Sequence, residues 1–526
     1  MIKKKLLFIF YAHAPYIRSE QQKDTLESFR FFETLSYGLL PFLRMCGRLD
    51  TAGVPFKCAL VISPLLCEML QDPLLQNQYC ASLDKHIAFT QDALNRAASE
   101  TESRLTQLHL DSLIRNRKEF IEDYKKNILK HINTFVAKGA IELIATAATP
   151  CFFPLYQDMP AALNAQIELG IAGFRDYFSA SPTGFWLPAM GYNTGLERII
   201  KPYGLDYTVL ESQSFLFADS PPMQGVFSPA MSENGLAFFG KDCSVHDELL
   251  NAETGLYRNP CYLDTDKDIG FELDGSYLAP LFDVEKGRYA TGLCYCCRGG
   301  KTAYNPEEAL LQAEKDADRF LANRRAVLNE AGSLLNTDML CSVCVLPLQF
   351  LGKVWFEGMQ WLERVFVKLA GEEDISCIHP AEYLQTARRM PSIEPFYASN
   401  LPSGYADELI SSSNDWMLPR IRKATERMID LAARFPNDPG LKERVLNMAA
   451  KEVLLAQSMD WPLMVDSEFS AEYAAQACEE HIKAFTAVYE SLGAGAVSTD
   501  WLIKREKKYP IFTEMNYRLF IKQPER

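Results

Sequence analysis

The feature that most constrains the fold is a repeated alternation of short apolar runs with stretches of helical periodicity. The apolar runs have the length and even hydrophobicity of parallel strands covered on both faces: LLFIFYA (6–12), CALVIS (58–63), IELIATA (141–147), LDYTVL (205–210) and CSVCVLPL (341–348). Helix-start signals follow, including Ser63 with Pro64 and Asn305 with Pro306. No glycine-rich nucleotide loop marks an open-sheet crevice, so the pattern favours an α/β barrel.

Two regions depart from this alternation. Residues 80–135 form a long, charge-rich stretch with helical periodicity, which predicts a helical insertion. Beyond about residue 405 the strand-like runs disappear and amphipathic helical patterns dominate. We therefore predict an α/β fold with a barrel domain over residues 1–385, insertion included, and a C-terminal all-helical domain over residues 405–526.

Charge and hydropathy argue against two classes of partner. A formal net charge of −14 repels the phosphates of nucleic acids and anionic lipid surfaces, and no cluster of lysines and arginines offsets it. No run of about 18 uncharged apolar residues exists, and the apolar segment after the basic start MIKKK is short. We predict no nucleic acid and no membrane partner, and fourteen cysteines without a secretory signal favour a cytoplasmic location.

Two cysteine pairs have the C-x-x-C spacing of many zinc sites, Cys294 with Cys297 and Cys341 with Cys344. Both pairs lie in strand-like runs, where residues i and i+3 point to opposite faces. Neither pair can chelate an ion without a tight turn, which the sequence does not supply. We predict no metal and no cofactor.

Conspicuous segments occur along the whole chain: FYAHAPYIR (10–18), GAIELIATAATPCFFPL (139–155), GFWLPAMGYNTGLERII (184–200), FLGKVWFEGMQWLERV (350–365) and LLAQSMDWPLMV (454–465). In content and order they resemble glycoside hydrolase family 57, in particular its α-1,4-glucan branching enzyme-type members. The resemblance implies a distorted (β/α)7 barrel with a helical insertion and a C-terminal helical domain; the strand number comes from the family alone.

The resemblance also implies two catalytic positions. In active members a glutamate ends the W-L-P-E segment as nucleophile, and an aspartate opens the D-x-E-L-F-G-H-W-W-F-E-G segment as acid/base. A retaining mechanism needs this pair, with carboxyl groups about 5–5.5 Å apart. In this sequence the nucleophile position is Ala189 and the acid/base position is Pro347. The alanine side chain has no nucleophilic group and the proline side chain has no proton to donate, so both catalytic carboxylates are absent from these positions.

Neighbouring positions differ from the family pattern as well. Tyr11 stands at the first histidine of the opening segment, Pro150 at the A-T-H histidine and Lys353 at the G-H-W histidine. Because so many positions are changed while the strands still fit the pattern, we predict a catalytically impaired relative that retains at most α-glucan binding or an interaction role. The alternative is an active branching enzyme or glucanotransferase that uses relocated carboxylates, Glu211 and Asp460.

Candidate sugar contacts remain in the matching segments: His13, Tyr11, Trp186, Trp355, Trp461 and Tyr257. An indole or phenol ring suits the apolar C–H face of a glucose unit, although a tryptophan beside a strand end is also a common core residue. His13 is either a donor to a sugar hydroxyl or a satisfied core histidine. The predicted ligand is an α-glucan or maltooligosaccharide, and the sequence does not identify a protein partner.

Overall fold

The strands follow the apolar runs of the sequence. The structure is a computed structural model and describes residues 2–19, 26–285, 287–300, 302–334, 339–387, 389–494 and 498–521. The strands are β1 (Lys3–Ala12), β2 (Cys58–Ile62), β3 (Ile141–Thr146), β4 (Phe185–Trp186), β5 (Tyr207–Leu210), β6 (Ala230–Met231), β7 (Ala237–Gly240), β8 (Met339–Pro347) and β9 (Ile375–Cys377). All five apolar runs that predict strands are therefore confirmed.

Helices fill most of the remaining described chain. They are α1 (Ser28–Glu33), α2 (Leu40–Thr51), α3 (Pro64–Gln71), α4 (Pro73–Arg96), α5 (Glu100–Lys118), α6 (Ile128–Ala137), α7 (Pro160–Phe178), α8 (Leu196–Ile200), α9 (Ser212–Leu216), α10 (Cys243–Leu250), α11 (Ile269–Glu272), α12 (Gly275–Leu278), α13 (Pro306–Leu334), α14 (Gly358–Leu369), α15 (Pro380–Thr386), α16 (Met417–Arg434), α17 (Leu441–Ala456), α18 (Asp460–Asp466), α19 (Ala471–Ala494) and α20 (Thr499–Lys508). Among the described residues, none of these helices combines the length and apolarity needed to cross a bilayer.

The chain divides into two compact units that alternate along the sequence. The first unit comprises Met1–Leu60, Leu66–Leu143 and Asp242–Ala387, and the second comprises Val61–Leu65, Ile144–Lys241 and Arg388–Arg526. The C-terminal helices α16 to α20 thus belong to the same unit as the chain from β3 to β7.

In the first unit, β1 pairs with β8, and β9 pairs with the first half of β1. The pairing of β1 with β8 is parallel and places Tyr11 opposite Pro347. Side chains of β1 from Leu6 to Phe10 are completely buried, as expected for a strand covered on both faces.

In the second unit, the end of β3 pairs in parallel with β4, so that Thr146 lies opposite Trp186. A separate sheet has the order β5-β7-β6, with β5 and β7 parallel. The carboxyl ends of β5 and β7 therefore lie side by side, and Lys241 donates its backbone N–H to Leu210 at 2.9 Å.

The predicted helical insertion is confirmed as α4, α5 and α6, and it begins at Pro73. Asp72 caps α4 by accepting the Leu74 N–H at 2.8 Å. Ser99 caps α5 by accepting the Glu102 N–H at 3.1 Å, while the Glu102 carboxylate accepts the Ala98 N–H at 3.0 Å. These reciprocal bonds fix the junction between α4 and α5.

A buried ion-pair network joins three of the C-terminal helices. Glu452 on α17 is completely buried and accepts hydrogen bonds from Arg505 on α20 at 2.6 and 2.7 Å. His481 on α19 lies 2.7 Å from the same carboxylate. A charge in such a position destabilises the fold strongly when its partner is removed.

We therefore expect Glu452→Ala to lower the free energy of unfolding by about 3–5 kcal/mol, because it leaves the Arg505 guanidinium buried without this carboxylate. The matched control is Arg444→Ala, which breaks an ion pair with Glu506 whose side chains are 51% and 35% exposed. That control should cost about 0–1 kcal/mol. Urea unfolding measures the free energy of unfolding of both variants. Equal decreases for the two would contradict the stabilising role of the buried Glu452–Arg505 ion pair.

Candidate functional site

Ala189, at the predicted nucleophile position, lies in a tight turn directly after β4. Residues Pro188–Met190 form a single 3-10 turn, in which Ala189 has φ 52° and Met190 has φ 48°. This left-handed conformation costs non-glycine residues about 1–2 kcal/mol each, so surrounding packing must hold it. Gly191 follows because a Cβ there would lie 2.4 Å from the ring of Phe152.

The methyl group of Ala189 packs against a hydrophobic cluster of the second unit. The cluster centres on the buried residues Phe152, Ala406 and Leu409. Also packed against it are Leu155, Leu401, Tyr405, Met459 and Leu463. The backbone is fixed too, since Asn400 donates its N–H to the Ala189 carbonyl at 2.8 Å. Ala189 is partly buried, so an ionised carboxylate at residue 189 would lose part of its hydration to these apolar groups.

Pro150, at one of the predicted histidine positions, lies close to this cluster along the chain. Its carbonyl accepts the N–H of Met459 at 2.8 Å, and Met459 itself packs on the cluster. Proline has no side-chain hydrogen-bonding group, so this position offers a sugar only its backbone carbonyl, which is already engaged.

A continuous series of aromatic rings leads from the surface of the second unit to this cluster. Phe217 and Phe396 have ring centroids 5.8 Å apart, Phe396 stacks on Tyr397 at 4.2 Å, and Tyr397 meets Tyr405 at 5.0 Å. Tyr405 then meets Phe152 edge-on at 5.4 Å. Phe217 is 64% exposed and Tyr397 48% exposed. We call these five residues the aromatic row; its inner end is the cluster that holds Ala189.

Pro347, at the predicted acid/base position, ends β8 in the first unit. It lies opposite Tyr11 at the end of β1, and the Leu348 N–H donates to the Tyr11 carbonyl at 2.9 Å. A proline is tolerated here because the strand pairing ends with it. Lys353, at another predicted histidine position, forms an ion pair with Glu33.

The predicted sugar contacts divide into two groups by exposure. Tyr11 and His13 are half-buried at the end of β1. The other four are buried, with relative exposures of 5% for Trp186, 0% for Trp355, 2% for Trp461 and 5% for Tyr257.

Neighbouring groups hold two of these buried rings. The Trp461 indole N–H donates to the Leu455 carbonyl at 2.8 Å. Tyr257 packs edge-on against Phe350, with ring centroids 5.1 Å apart. Stacking on a sugar needs an accessible ring face, so in this conformation only Tyr11 and His13 of the predicted set offer contact surface.

Both predicted substitute carboxylates are engaged by neighbours in the second unit. Glu211 follows β5 and forms an ion pair with Lys241, which follows β7, at 2.7 Å; both side chains are about 90% buried. Asp460 begins α18, is 6% exposed and accepts a hydrogen bond from the Ser458 hydroxyl at 2.8 Å. These contacts hold the two carboxylates in fixed positions within the protein interior.

Glu357 is a buried carboxyl group that the sequence reasoning did not single out. It is 1% exposed, directly precedes α14 and accepts the Leu263 N–H at 3.1 Å. Burial raises the pKa of this carboxyl to about 7. The signal was present, since Glu357 is the glutamate of the W-F-E-G motif, but motif position alone did not reveal its burial.

Side chains suited to hold a metal ion do not gather in the described parts of the chain, where no three His, Cys, Asp or Glu residues form such a group. Cys341 and Cys344 are completely buried in β8. Burial raises the pKa of the Cys341 thiol to about 12 and that of Cys344 further, so both behave as apolar core residues.

Comparison with known proteins gives a consistent result over the whole chain. The pattern of glycosyl hydrolase family 57 matches residues 7–281, and that of the 1,4-alpha-glucan branching enzyme C-terminal region matches residues 420–520. The 1,4-alpha-glucan branching enzyme of Thermococcus kodakarensis is 22% identical over 514 residues, which cover 92% of this chain and 73% of that enzyme.

Solved structures share the fold. The alpha-amylase AmyC of Thermotoga maritima superposes with a TM-score of 0.91 at 27% identity, with 100% of both chains covered. The branching enzyme of Pyrococcus horikoshii gives a TM-score of 0.87 at 23% identity, covering 99% of this chain and 98% of that one. These likenesses confirm the predicted α/β fold, a distorted (β/α)7 barrel with a helical insertion and a C-terminal helical domain.

The raised pKa of Glu357 predicts a pH-dependent stability. The carboxyl ionises near its ordinary pKa of 4.5 when the chain is unfolded but near 7 when it is folded, so the folded state binds the proton more tightly. Stability from this group is therefore present at low pH and is lost as pH rises through about 7. Relative to the parent, Glu357→Gln should gain on the order of 2–3 kcal/mol between pH 5 and pH 8.

Urea unfolding at several pH values measures this difference. The matched control is Glu330→Gln, because Glu330 is an exposed glutamate of the same unit. The free energy of unfolding of Glu330→Gln should change with pH as that of the parent does. Parallel curves for Glu357→Gln as well would show that the buried carboxyl is not protonated in the folded protein.

Proposed function

The chain belongs to glycosyl hydrolase family 57, and we propose that it is a catalytically impaired member that binds α-glucan chains without cleaving them. One observation carries this proposal. The residue at the nucleophile position, Ala189, packs into a hydrophobic cluster at the inner end of a partly exposed aromatic row. The row supplies surface for a sugar chain, and the cluster supplies no group that attacks it.

The chemistry of the two catalytic positions supports the loss of activity. Glycosidic bond exchange with retention needs one ionised carboxylate to attack the anomeric carbon and one protonated carboxyl to release the leaving oxygen. Ala189 and Pro347 supply neither group. Removal of a single catalytic residue typically lowers the rate by several orders of magnitude, and here both positions are changed.

Binding does not depend on those carboxylates. The exposed faces of Phe217, Phe396 and Tyr397 suit the apolar C–H faces of successive glucose units, and stacking on aromatic rings needs no charged group. Among the relatives, the family 57 branching enzyme of Thermococcus kodakaraensis, which has a TM-score of 0.88 at 21% identity and 99% and 97% coverage, has been solved with glucose. We infer an α-glucan or maltooligosaccharide as the ligand class.

The alternative of relocated catalysis requires that Glu211 or Asp460 reach a bound sugar. A nucleophile must approach the anomeric carbon closely, which demands an accessible carboxylate. Glu211 is 8% exposed and ion-paired with Lys241, and Asp460 is 6% exposed and hydrogen-bonded by Ser458. The geometry of both groups favours structural roles.

Calorimetry with maltoheptaose tests the binding proposal. Tyr397→Ala should weaken binding about three- to tenfold, because it removes an exposed ring from the middle of the aromatic row. The matched control is Tyr177→Ala, which removes a half-buried tyrosine of α7 outside the row and should leave the affinity unchanged. Absence of heat with any maltooligosaccharide, or equal weakening by both variants, would contradict binding along the row.

Incubation with amylose tests the absence of turnover. Neither the iodine-staining spectrum nor the number of reducing ends should change with the parent protein. Turnover that disappears in Glu211→Gln or Asp460→Asn would establish the alternative.

The packing of Ala189 predicts that a glutamate introduced at residue 189 destabilises the fold and does not produce glucan cleavage. Ala189→Glu should lower the free energy of unfolding by about 1–3 kcal/mol, because it places a carboxylate among Phe152, Tyr405 and Leu409. Ala189→Gly should remain within about 1 kcal/mol of the parent, since glycine adopts positive φ freely but leaves a small gap. The double variant Ala189→Glu with Pro347→Asp should show no glucan cleavage, and measurable cleavage would contradict the proposal.

A further inference from the structure

The first unit contains a recess of its own. It is a cavity of about 780 Å³ between the α4–α5 junction and residues 269–277, 295–300 and 302–303. Pockets that enclose small-molecule ligands typically measure about 300–1,000 Å³. Neither Tyr11, His13 nor Pro347 lines this cavity.

The apolar part of the cavity contains two tyrosine rings. Tyr277 is held by the edge of Phe89, with centroids 5.3 Å apart, and by Arg96, whose guanidinium carbon lies 5.3 Å from the Tyr277 ring centre. Tyr295 is held through its hydroxyl, which hydrogen-bonds the Thr106 hydroxyl at 3.0 Å. Both rings are half-buried and line the cavity. Rings fixed in this way lose little entropy when they stack on a ligand.

The polar part of the cavity includes two acceptors that are already fixed in position. The Glu102 carboxylate is held by the Ala98 N–H at 3.0 Å. Asp274 caps α12 and accepts the Ser276 N–H at 2.8 Å and the Ser276 hydroxyl at 2.6 Å. A carboxylate can accept further hydrogen bonds beyond these, so both are ready for hydroxyl groups of a ligand.

Charge at the cavity limits the ligand class. Arg96 in the described lining is already paired with Asp92 at 2.7 Å, whereas Glu102 and Asp274 are both acidic. A Cβ at the lining residue Gly300 would lie 2.6 Å from the Lys267 ammonium, so groups of both signs are present and neither sign of ligand charge is favoured. The lining is also too exposed and too apolar to select a cation. A neutral ligand with many hydroxyls and apolar ring faces matches both the tyrosines and the carboxylates.

We propose that this cavity is a second, non-catalytic binding site for a short segment of α-glucan. The choice of α-glucan among neutral sugars rests on the proposed function. Glucose rings stack on Tyr277 and Tyr295, and their hydroxyls donate to Glu102 and Asp274. The role we assign to this site is to retain a glucan chain, not to cleave it.

Calorimetry on the full chain tests this site with maltoheptaose as the probe. The parent should bind about two ligands per chain. Tyr277→Ala should remove one of them, whereas Tyr277→Phe, which keeps the ring, should retain both. Tyr397→Ala in the aromatic row should leave the cavity site intact.

The outcomes separate the two proposals. If Tyr277→Ala binds as the parent does and Tyr397→Ala weakens binding, the cavity site is overturned and the proposed function stands. If Tyr277→Ala abolishes all binding and Tyr397→Ala has no effect, the cavity site is supported and the aromatic row is not. If the parent binds no maltooligosaccharide, both are overturned.

Thiol labelling gives a second readout at the cavity itself. Cys296 lines the cavity and is half-buried, whereas Cys243 on α10 is exposed and does not line it. Saturating maltoheptaose should slow alkylation of Cys296 by iodoacetamide severalfold, as resolved by peptide mass spectrometry, and leave Cys243 unchanged. An unchanged rate at Cys296 under saturation would overturn the cavity site.

Discussion

Parallel strands end at the same edge of a sheet, and this constraint sets which side chains meet at the strand ends. Within the first unit the pairing of β1 with β8 brings Tyr11 beside Pro347. Within the second unit the pairing of β5 with β7 brings Glu211 beside Lys241. Side chains far apart in sequence thus become neighbours whatever their identity. The scaffold fixes where chemistry takes place, and the residues at those ends decide which chemistry is possible.

Apolar packing surrounds Ala189 in the turn after β4. Phe152, Ala406 and Leu409 form an apolar cluster against its methyl group. Burial of such groups stabilises the fold by about 25 cal/mol per Å² of apolar surface, and this contribution helps to hold the left-handed turn at residue 189. Packing rather than charge now maintains the loop after β4.

The sequence allowed prediction of the secondary-structure elements, but not of which side chains are buried or exposed. Apolar runs and helix-start signals located β1, β2, β3, β5 and β8, because these features are local. The burial of Trp461 depends on its packing within the C-terminal helices and its bond to Leu455, which periodicity does not report. The aromatic row was missed for the same reason, since Phe217 and Tyr397 are 180 positions apart. The cavity beside Tyr277 likewise needs the α4–α5 junction and residues 269–277, 295–300 and 302–303 together.

Binding and cleavage of a glucan place different demands on a protein. Cleavage requires two carboxyl groups held within a fraction of an ångström of their working positions, and the loss of either removes most of the rate. Binding through aromatic faces is shared among several rings, so the loss of one contact weakens affinity without abolishing it. A chain that loses its catalytic carboxylates can therefore keep its ligand. The buried strands stabilise the fold whether or not a reaction takes place.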